Sequence, residues 1–234
     1  MGSDIYLAIV QIIIINLVLS GDNAVVIALA CRNLPPKQQN LGILWGTLGA
    51  VVLRILLTAI AAVLLTMSYI QFFGGLLLLY IGIKLLKPED EGENIEAGDS
   101  LIAAVKTIIF ADLVMSLDNV LAVAAAAGGN LYLLIFGIAL SIPIVVFCSK
   151  LMITLMDRWP IIIYIGAGVI GHVAGEMLVS DKSPIIQNFV HSFPVVHTVM
   201  PWLMVAVVLG VGYWMNKKAA KHKKIDDEGV SVGG

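Results

Sequence analysis

The chain has 234 residues, of which 59% are hydrophobic and only 13% are charged. Its mean hydropathy of +0.98 lies far outside the soluble range, which excludes a soluble globule. The 14 basic and 16 acidic residues give a net charge of −2, so no overall basic field indicates a nucleic-acid partner. The two cysteines, Cys31 and Cys148, form no C-x-x-C motif and indicate neither a disulfide framework nor a soft-metal site.

Seven apolar runs are long enough to cross a bilayer, because a spanning helix needs about 20 apolar residues. Their continuous character favours helices over a β-barrel, whose strands alternate between apolar and polar residues. The first run lacks a basic flank and exceeds the apolar core of a signal peptide, so we expect it to stay in the membrane. The predicted spans cover 6–30, 41–67, 69–86, 101–127, 132–156, 160–179 and 198–215.

The distribution of basic residues predicts the orientation of these spans. Ten Lys and Arg residues lie on one side of the spans and only Lys182 lies on the other. Positive charge near span ends is retained in the cytoplasm. We therefore expect a multi-pass protein of the plasma membrane, with its N-terminus outside and its C-terminus in the cytoplasm.

An acidic stretch divides the chain into two halves. The predicted organisation is a first three-helix repeat at 1–86, an acidic cytoplasmic linker at 87–100, a second three-helix repeat at 101–180, an extracellular loop at 181–197, a seventh helix at 198–216 and a Lys-rich cytoplasmic tail at 217–234. The composition of the linker is typical of a solvated connection. The tail is predicted to be disordered and to lie against anionic lipid.

An internal repeat relates the two halves. Residues 11–30 align without gaps with 107–126, and nine of the 20 positions are identical. Apolar residues match easily by chance, so the polar matches matter most. They are Ser20 with Ser116, Asp22 with Asp118 and Asn23 with Asn119, while Asn16 lies opposite Asp112. These matches indicate a duplicated unit of three spans.

A unit with an odd number of spans enters the membrane in the opposite direction when it is repeated. The predicted fold is therefore an all-α polytopic membrane protein of seven transmembrane helices, built as two inverted three-helix repeats plus one extra C-terminal helix. Inverted repeats are typical of secondary transporters, in which substrate binds near the midplane between the repeats. The symmetry therefore favours transport by alternating access.

The duplicated motif supplies the candidate ligands of a transported ion. Asp22 and Asp118 fall near the middle of their predicted spans. Acidic residues at that depth usually face a cavity and mark ion or proton paths. The candidate ligands are Asn16, Ser20, Asp22, Asn23, Asp112, Ser116, Asp118 and Asn119. Such an oxygen-only set suits hard divalent cations such as Mn²⁺, Mg²⁺ or Ca²⁺, although helix packing through hydrogen bonds is the competing interpretation for the serines and asparagines.

Helix geometry adds two expectations. A local unwinding near Gly21 would bring Asp22 and Asn23 to one point, as in the broken helices of transporters. Leu117 replaces that glycine in the second repeat, so a break is better supported in the first. Six further glycines are predicted to be close-packing positions between helices: Gly74, Gly75, Gly82, Gly166, Gly168 and Gly171.

Three more ionisable residues are candidates for a secondary or gating role. Arg54 is the one basic group near a span centre and needs an acidic partner such as Asp22 or Asp118. It is either a counter-ion that a cation displaces or a static ion pair. His172 and Glu176 are four residues apart on the sixth span, where they form a secondary site or a plain hydrogen-bonded pair.

The chain contains no nucleotide-binding motif and no Ser-His-Asp or H-E-x-x-H constellation. We therefore expect no enzymatic activity and no permanently bound cofactor. Transport would use an ion gradient, and the buried acids make proton coupling plausible. The expected partners are a divalent cation as substrate and the lipid bilayer, with a homo-oligomer or other membrane proteins left open.

The motifs SGDNAVVIALA at 20–30, ADLVMSLDNVLAVAAA at 111–126 and GAGVIGHVAGEMLVSD at 166–181 together resemble the TerC family of integral membrane proteins, particularly its YjbE-type bacterial members. The resemblance covers roughly residues 5–215. It implies metal-ion efflux, chiefly of manganese, and it places the family's acidic motifs on Asp22-Asn23 and Asp118-Asn119. The residues by themselves imply only a hard divalent ion.

The sequence thus predicts an exporter of a divalent cation, most readily Mn²⁺. Asn16 and Asp112 break the acidic symmetry, which favours one asymmetric site over two equivalent ones. Two other interpretations stay open. One is an exporter of small organic solutes such as amino acids, and the other is a membrane scaffold or sensor that transports nothing.

Overall fold

The computed structural model describes residues 21–64, 67–87, 97–126 and 131–231. Within these ranges the chain is entirely helical. The eight helices are α1 (Gly21–Cys31), α2 (Pro36–Leu64), α3 (Ile70–Leu86), α4 (Ala97–Ala126), α5 (Leu131–Arg158), α6 (Ile161–Ser180), α7 (Pro184–Ser192) and α8 (Val195–Ser231).

Five of these helices are long and apolar enough to cross a membrane. The candidate spans are Pro36–Thr58, Ser100–Leu117, Ile138–Arg158, Ile161–Ser180 and Val195–Lys218. Helices α1 and α3 are apolar but shorter, with 11 and 17 residues. They coincide with parts of the predicted first and third spans, and most of the first lies outside the described residues. The all-helical fold is confirmed, whereas seven spans in two inverted repeats stays a prediction.

Helices from the two halves of the chain pack against each other. Helix α2 lies along α4, α3 lies along α6, and α1 contacts both α4 and α5. Helix α8 packs on α6 and α3, at the periphery of this arrangement. The buried apolar core lies where α1, α3, α4, α5 and α6 converge.

Glycines allow two of these helix pairs to approach closely. A Cβ on Gly75 of α3 would lie 2.8 Å from the carbonyl oxygen of Ala174 on α6. A Cβ on Gly171 of α6 would lie 3.0 Å from the carbonyl oxygen of Met204 on α8. Because these obstacles are backbone atoms, no side chain can move aside to make room. The close-packing role predicted for these two glycines is confirmed.

The large apolar side chains on the outer surface face away from this core. Trp45, Phe73, Phe147 and Trp202 are each more than half exposed. An exposed apolar surface of this extent suits hydrocarbon rather than water. The exposure agrees with an integral membrane protein that contacts the lipid bilayer on several sides.

Two segments differ from the expectation from sequence. The predicted loop at 181–197 contains helix α7, which begins at Pro184 because Pro suits the first helical position. The Ser183 hydroxyl caps this helix by accepting a hydrogen bond from the backbone N–H of Ile186, at 3.4 Å. The backbone of α8 stays helical to Ser231, past the predicted start of a disordered tail at 217. The residues just beyond 217 are mostly Lys and Ala, which favour helix strongly.

Candidate ion-binding site

A buried ion pair joins the two halves of the chain. Arg54 lies on α2, and its Nη2 atom is 2.5 Å from Oδ1 of Asp112 on α4. The two residues are 6% and 8% exposed. The sequence predicted an acidic partner such as Asp22 or Asp118 for Arg54, and among the described side chains the acid in direct contact with it is Asp112. The side chain of Asp118 lies outside the described residues.

Ser116 completes a small network around this pair. Its hydroxyl accepts a hydrogen bond from Nε of Arg54 at 3.0 Å and donates one to Oδ2 of Asp112 at 3.2 Å. Ser116 is fully buried. The side chain predicted to be a metal ligand therefore orients the guanidinium and the carboxylate in this state, and it does not line the adjacent cavity.

A cavity of about 20 Å³ lies beside the ion pair. Its polar lining consists of Asn23 from α1, Thr47 and Arg54 from α2, and Asp112 from α4. The remaining wall is apolar and includes Ile138 and Val145 from α5, with Ile27, Ala50 and Val51. A space of this size holds one water molecule or one bare ion.

The described lining of the cavity comes from four helices. Helix α2 contributes Thr47 and Arg54, and α5 contributes Ile138 and Val145. Asn23 from α1 and Asp112 from α4 face the same space. A single asymmetric site stays a prediction, because several of its proposed ligands lie outside the described side chains.

Asp22 lies at the edge of this group. Its Oδ1 atom accepts a hydrogen bond from the backbone N–H of Asn23, at 2.8 Å. It is close enough to Arg54 and Asp112 for both charges to act on it. Two carboxylates and one guanidinium therefore share one electrostatic environment, which carries a net negative charge when all three are ionised.

Four of the predicted site residues cannot be placed relative to this cavity from the part of the chain that the structure describes. Asn16 and Ser20 lie outside the described residues, as do the side chains of Asp118 and Asn119. The backbone of α4 runs through 118–119 without a break, in line with the expectation that any unwinding belongs to the first repeat. No group of three or more His, Cys, Asp or Glu side chains suited to a metal is found among the described residues.

His172 and Glu176 form a separate pair on α6. Nδ1 of His172 is 3.7 Å from Oε1 of Glu176, and the two side chains are 34% and 54% exposed. The imidazole also packs edge-on against Trp202 of α8, with ring centroids 5.2 Å apart. Neither residue lines the central cavity, so the geometry favours the simpler interpretation as a local pair.

Thr47 was not predicted as a site residue, although the sequence held a signal for it. It lies seven residues before Arg54, and residues seven apart on a helix share a face. The helical face of the one buried arginine carries two hydroxyl residues, Thr47 and Thr58, and this position could have marked Thr47 as a candidate. Thr47 is 3% exposed, and its Oγ1 atom has no hydrogen-bond partner among the described residues.

Comparison with a family model and with known proteins gives the chain its family. A model described as the integral membrane protein TerC family matches residues 1–220. The chain belongs to the TerC family. It is 42% identical over 209 residues to the uncharacterized membrane protein YjbE of Bacillus subtilis, an alignment that covers 89% of this chain and 95% of that protein.

More distant TerC relatives include the uncharacterized membrane protein YceF of Bacillus subtilis, with 26% identity over 71% of this chain and 68% of that protein. The UPF0053 protein YegH of Escherichia coli shares 27% identity over 68% of this chain and 34% of its own length. No solved structure matches. The family match includes every helix that lines the cavity, so the site belongs to the shared domain.

Proposed function

We propose that this TerC protein is a membrane transporter that exports a divalent cation, most readily Mn²⁺, from the cytoplasm by alternating access. The observation that carries the proposal is the buried Arg54–Asp112 pair beside an ion-sized cavity. A charged pair in the interior of a membrane protein is costly, and such groups generally mark ion or proton paths.

In this proposal Arg54 takes the place of the cation when the site is empty. A buried carboxylate needs a positive partner or a proton at every stage, because leaving it ionised and unpaired is strongly unfavourable. The cation displaces the guanidinium from Asp112, and Arg54 returns when the cation leaves. Asp22 adds a second negative charge, which favours a doubly charged ion over the single charge of Arg54.

The size and chemistry of the cavity support an ion over an organic solute. A space of about 20 Å³ has room for one small particle and none for an amino acid. The neutral and anionic lining groups offer oxygen ligands from Asn23, Thr47 and Asp112, which hard divalent cations prefer. The choice of Mn²⁺ among such ions rests on the resemblance to the family.

The helix pairing supports alternating access between two halves. Helix α1 of the first half packs on α5 of the second, and α4 of the second half packs on α2 of the first. Helix α3 packs on α6, the corresponding helix of the other half. A twofold relation between inverted repeats would exchange the first two of these pairings and map the third onto itself. The cavity lies between α1 and α2 on one side and α4 and α5 on the other. Rocking of the two halves would expose it alternately to the two sides of the membrane.

The test is Mn²⁺ flux through proteoliposomes that contain the purified full chain, with internal pH recorded. Wild type is compared with Asp22→Asn and Asp118→Asn, which remove one charge each. Asp157→Asn is the matched control, because Asp157 is exposed at the end of α5. We expect flux in wild type and in the control and none in the other two variants. A simultaneous pH change would identify protons as the exchanged ion, whereas equal flux in all four proteins would contradict the proposal.

A further inference from the structure

Thr47 is unusual among the hydroxyl residues of the described helices. In a membrane helix a Ser or Thr hydroxyl commonly donates a hydrogen bond to the carbonyl oxygen four residues earlier. Thr58, Thr107, Ser149 and Thr154 all do so, at distances of 2.8 to 3.0 Å. Thr47 makes no such bond. Its hydroxyl is therefore not committed to its own helix.

The cavity is the space that the Thr47 hydroxyl faces. The residue is 3% exposed, and the space that it lines is the cavity shared with Asn23, Arg54 and Asp112. A buried hydroxyl without a hydrogen-bond partner is unfavourable, because it has lost its bonds to water without replacing them. A cation in the cavity that is coordinated by the hydroxyl oxygen would give this buried oxygen a partner.

We propose that the Thr47 hydroxyl oxygen is a direct ligand of the transported cation and that it contributes to the selectivity for hard cations. The inference rests on the proposed function and adds a residue that lies outside the duplicated acidic motif. Thr47 and Arg54 are two helical turns apart on one face of α2, about 10 Å along the axis, so the cavity lies between hydroxyl and guanidinium. The cation bound at Thr47 keeps Arg54 away from Asp112.

Three substitutions at this position separate ligation from packing. Thr47→Val keeps the shape of the side chain and removes the oxygen, and Thr47→Ser keeps the oxygen and removes the methyl group. Thr47→Cys replaces the hard oxygen with a soft sulfur, which favours a soft cation such as Cd²⁺ over Mn²⁺. Thr58→Val and Thr58→Cys are the matched controls, because the Thr58 hydroxyl is held by the backbone of Arg54 and does not line the cavity.

The experiment measures uptake of Mn²⁺ and of Cd²⁺ by proteoliposomes, as the KM for each ion and as the ratio of the two rates. We expect Thr47→Val to raise the KM for Mn²⁺ about tenfold, as for the loss of one ligand worth 1.4 kcal/mol, and Thr47→Ser to stay near wild type. Thr47→Cys should shift the preference from Mn²⁺ to Cd²⁺. The ratio is measured within one sample, so it is independent of how much protein folds.

The inference is overturned if Thr47→Val has the same KM for Mn²⁺ as Thr58→Val, or if Thr47→Cys has the same ion preference as Thr58→Cys. Either result would assign a water molecule to the cavity beside Thr47. Failure of the proposed function is a different result, because wild type would then carry neither ion. Wild-type flux with an unchanged Thr47→Cys preference therefore overturns the role of Thr47 and leaves the transporter proposal standing.

Discussion

Two buried aspartates of this chain differ in the groups that satisfy them. Asp112 on α4 is 8% exposed and is paired with the side chains of Arg54 and Ser116. Asp181, just after α6, is 1% exposed. Its carboxylate accepts hydrogen bonds from the backbone N–H groups of four residues, at 2.8 to 3.2 Å. The donors are Tyr69, Gln71, Phe72 and Ser183.

The proposed function makes one of these partners exchangeable and the other fixed. In that proposal the guanidinium of Arg54, on a long side chain, is replaced by the transported cation. Three of the N–H groups around Asp181 belong to the start of α3, where a carboxylate caps the unsatisfied donors and faces the positive end of the helix dipole. Asp181 therefore joins the end of α6 to the start of α3. Burial by itself does not mark an acid as a transport residue, and the proposal assigns that role to Asp112 because its partner is a side chain that a cation can replace.

The largest expected effect is at the Arg54–Asp112 pair. Asp112→Asn removes the one carboxylate in direct contact with the buried guanidinium among the described residues, and breaking such a pair costs about 3–5 kcal/mol. We expect a matching loss in thermal stability of the purified protein in detergent. The double variant Arg54→Gln/Asp112→Asn should recover part of that stability, while flux stays absent in both. Recovered flux in the double variant would show that the pair is structural.

At Asp181 we expect a loss of stability without a loss of function. Asp181→Ala removes the acceptor for the start of α3, and losing a helix cap of this kind costs about 1–2 kcal/mol. Thermal unfolding measures the change, and flux per folded molecule should match wild type. Asp181→Asn, which keeps one oxygen acceptor, should lie between the two. If both neutral variants at position 181 lost flux, the distinction between the two aspartates would be wrong.

Lowering the pH should remove the stability that the ionised Asp181 cap provides. Burial opposes ionisation of Asp181, but the hydrogen bonds from Ser183, Phe72 and Tyr69 outweigh it and hold the pKa of this carboxyl below its ordinary value of 3.8. A lowered pKa in the folded state stabilises the fold above the ordinary value, and that stabilisation disappears as the pH falls through the lowered one. The stability gap between wild type and Asp181→Asn should therefore be constant near neutral pH and shrink below about pH 4. A gap unchanged at lower pH would contradict the assignment.

The smallest effect is expected at His172 and Glu176. The side chains are partly exposed and 3.7 Å apart, and pairs of this kind contribute less than about 1 kcal/mol. His172→Ala and Glu176→Gln should each leave Mn²⁺ flux and its KM unchanged. Flux measured in proteoliposomes across neutral pH checks this, and a clear loss in both variants would restore the pair as a second site.

The sequence predicted those features that depend on local pattern. Apolar runs are properties of contiguous residues, so spans on α2, α4, α5, α6 and α8 overlap the predicted ones, with ends that differ by at most about ten residues. The duplicated motif also singled out Asp112, which the structure places at the central cavity. These predictions needed no knowledge of which helices are neighbours.

Features that depend on helix neighbours were not predicted. The partner of Arg54 depends on the depth at which α2 crosses α4. The sequence offers three acids near span centres, Asp22, Asp112 and Asp118, and does not show which of them lies opposite Arg54. Asp181 was interpreted as a loop residue, because its donors on α3 are more than a hundred positions away in the chain. The missing hydrogen bond of Thr47 is visible only once the cavity is defined.

The most direct test compares the two buried aspartates in one assay. Mn²⁺ flux is measured in proteoliposomes loaded with equal amounts of folded wild type, Asp112→Asn and Asp181→Asn. If the exchangeable partner defines the transport site, flux is lost in Asp112→Asn and retained in Asp181→Asn despite its lower stability. Retained flux in Asp112→Asn, or an equal loss in both variants, would contradict the account.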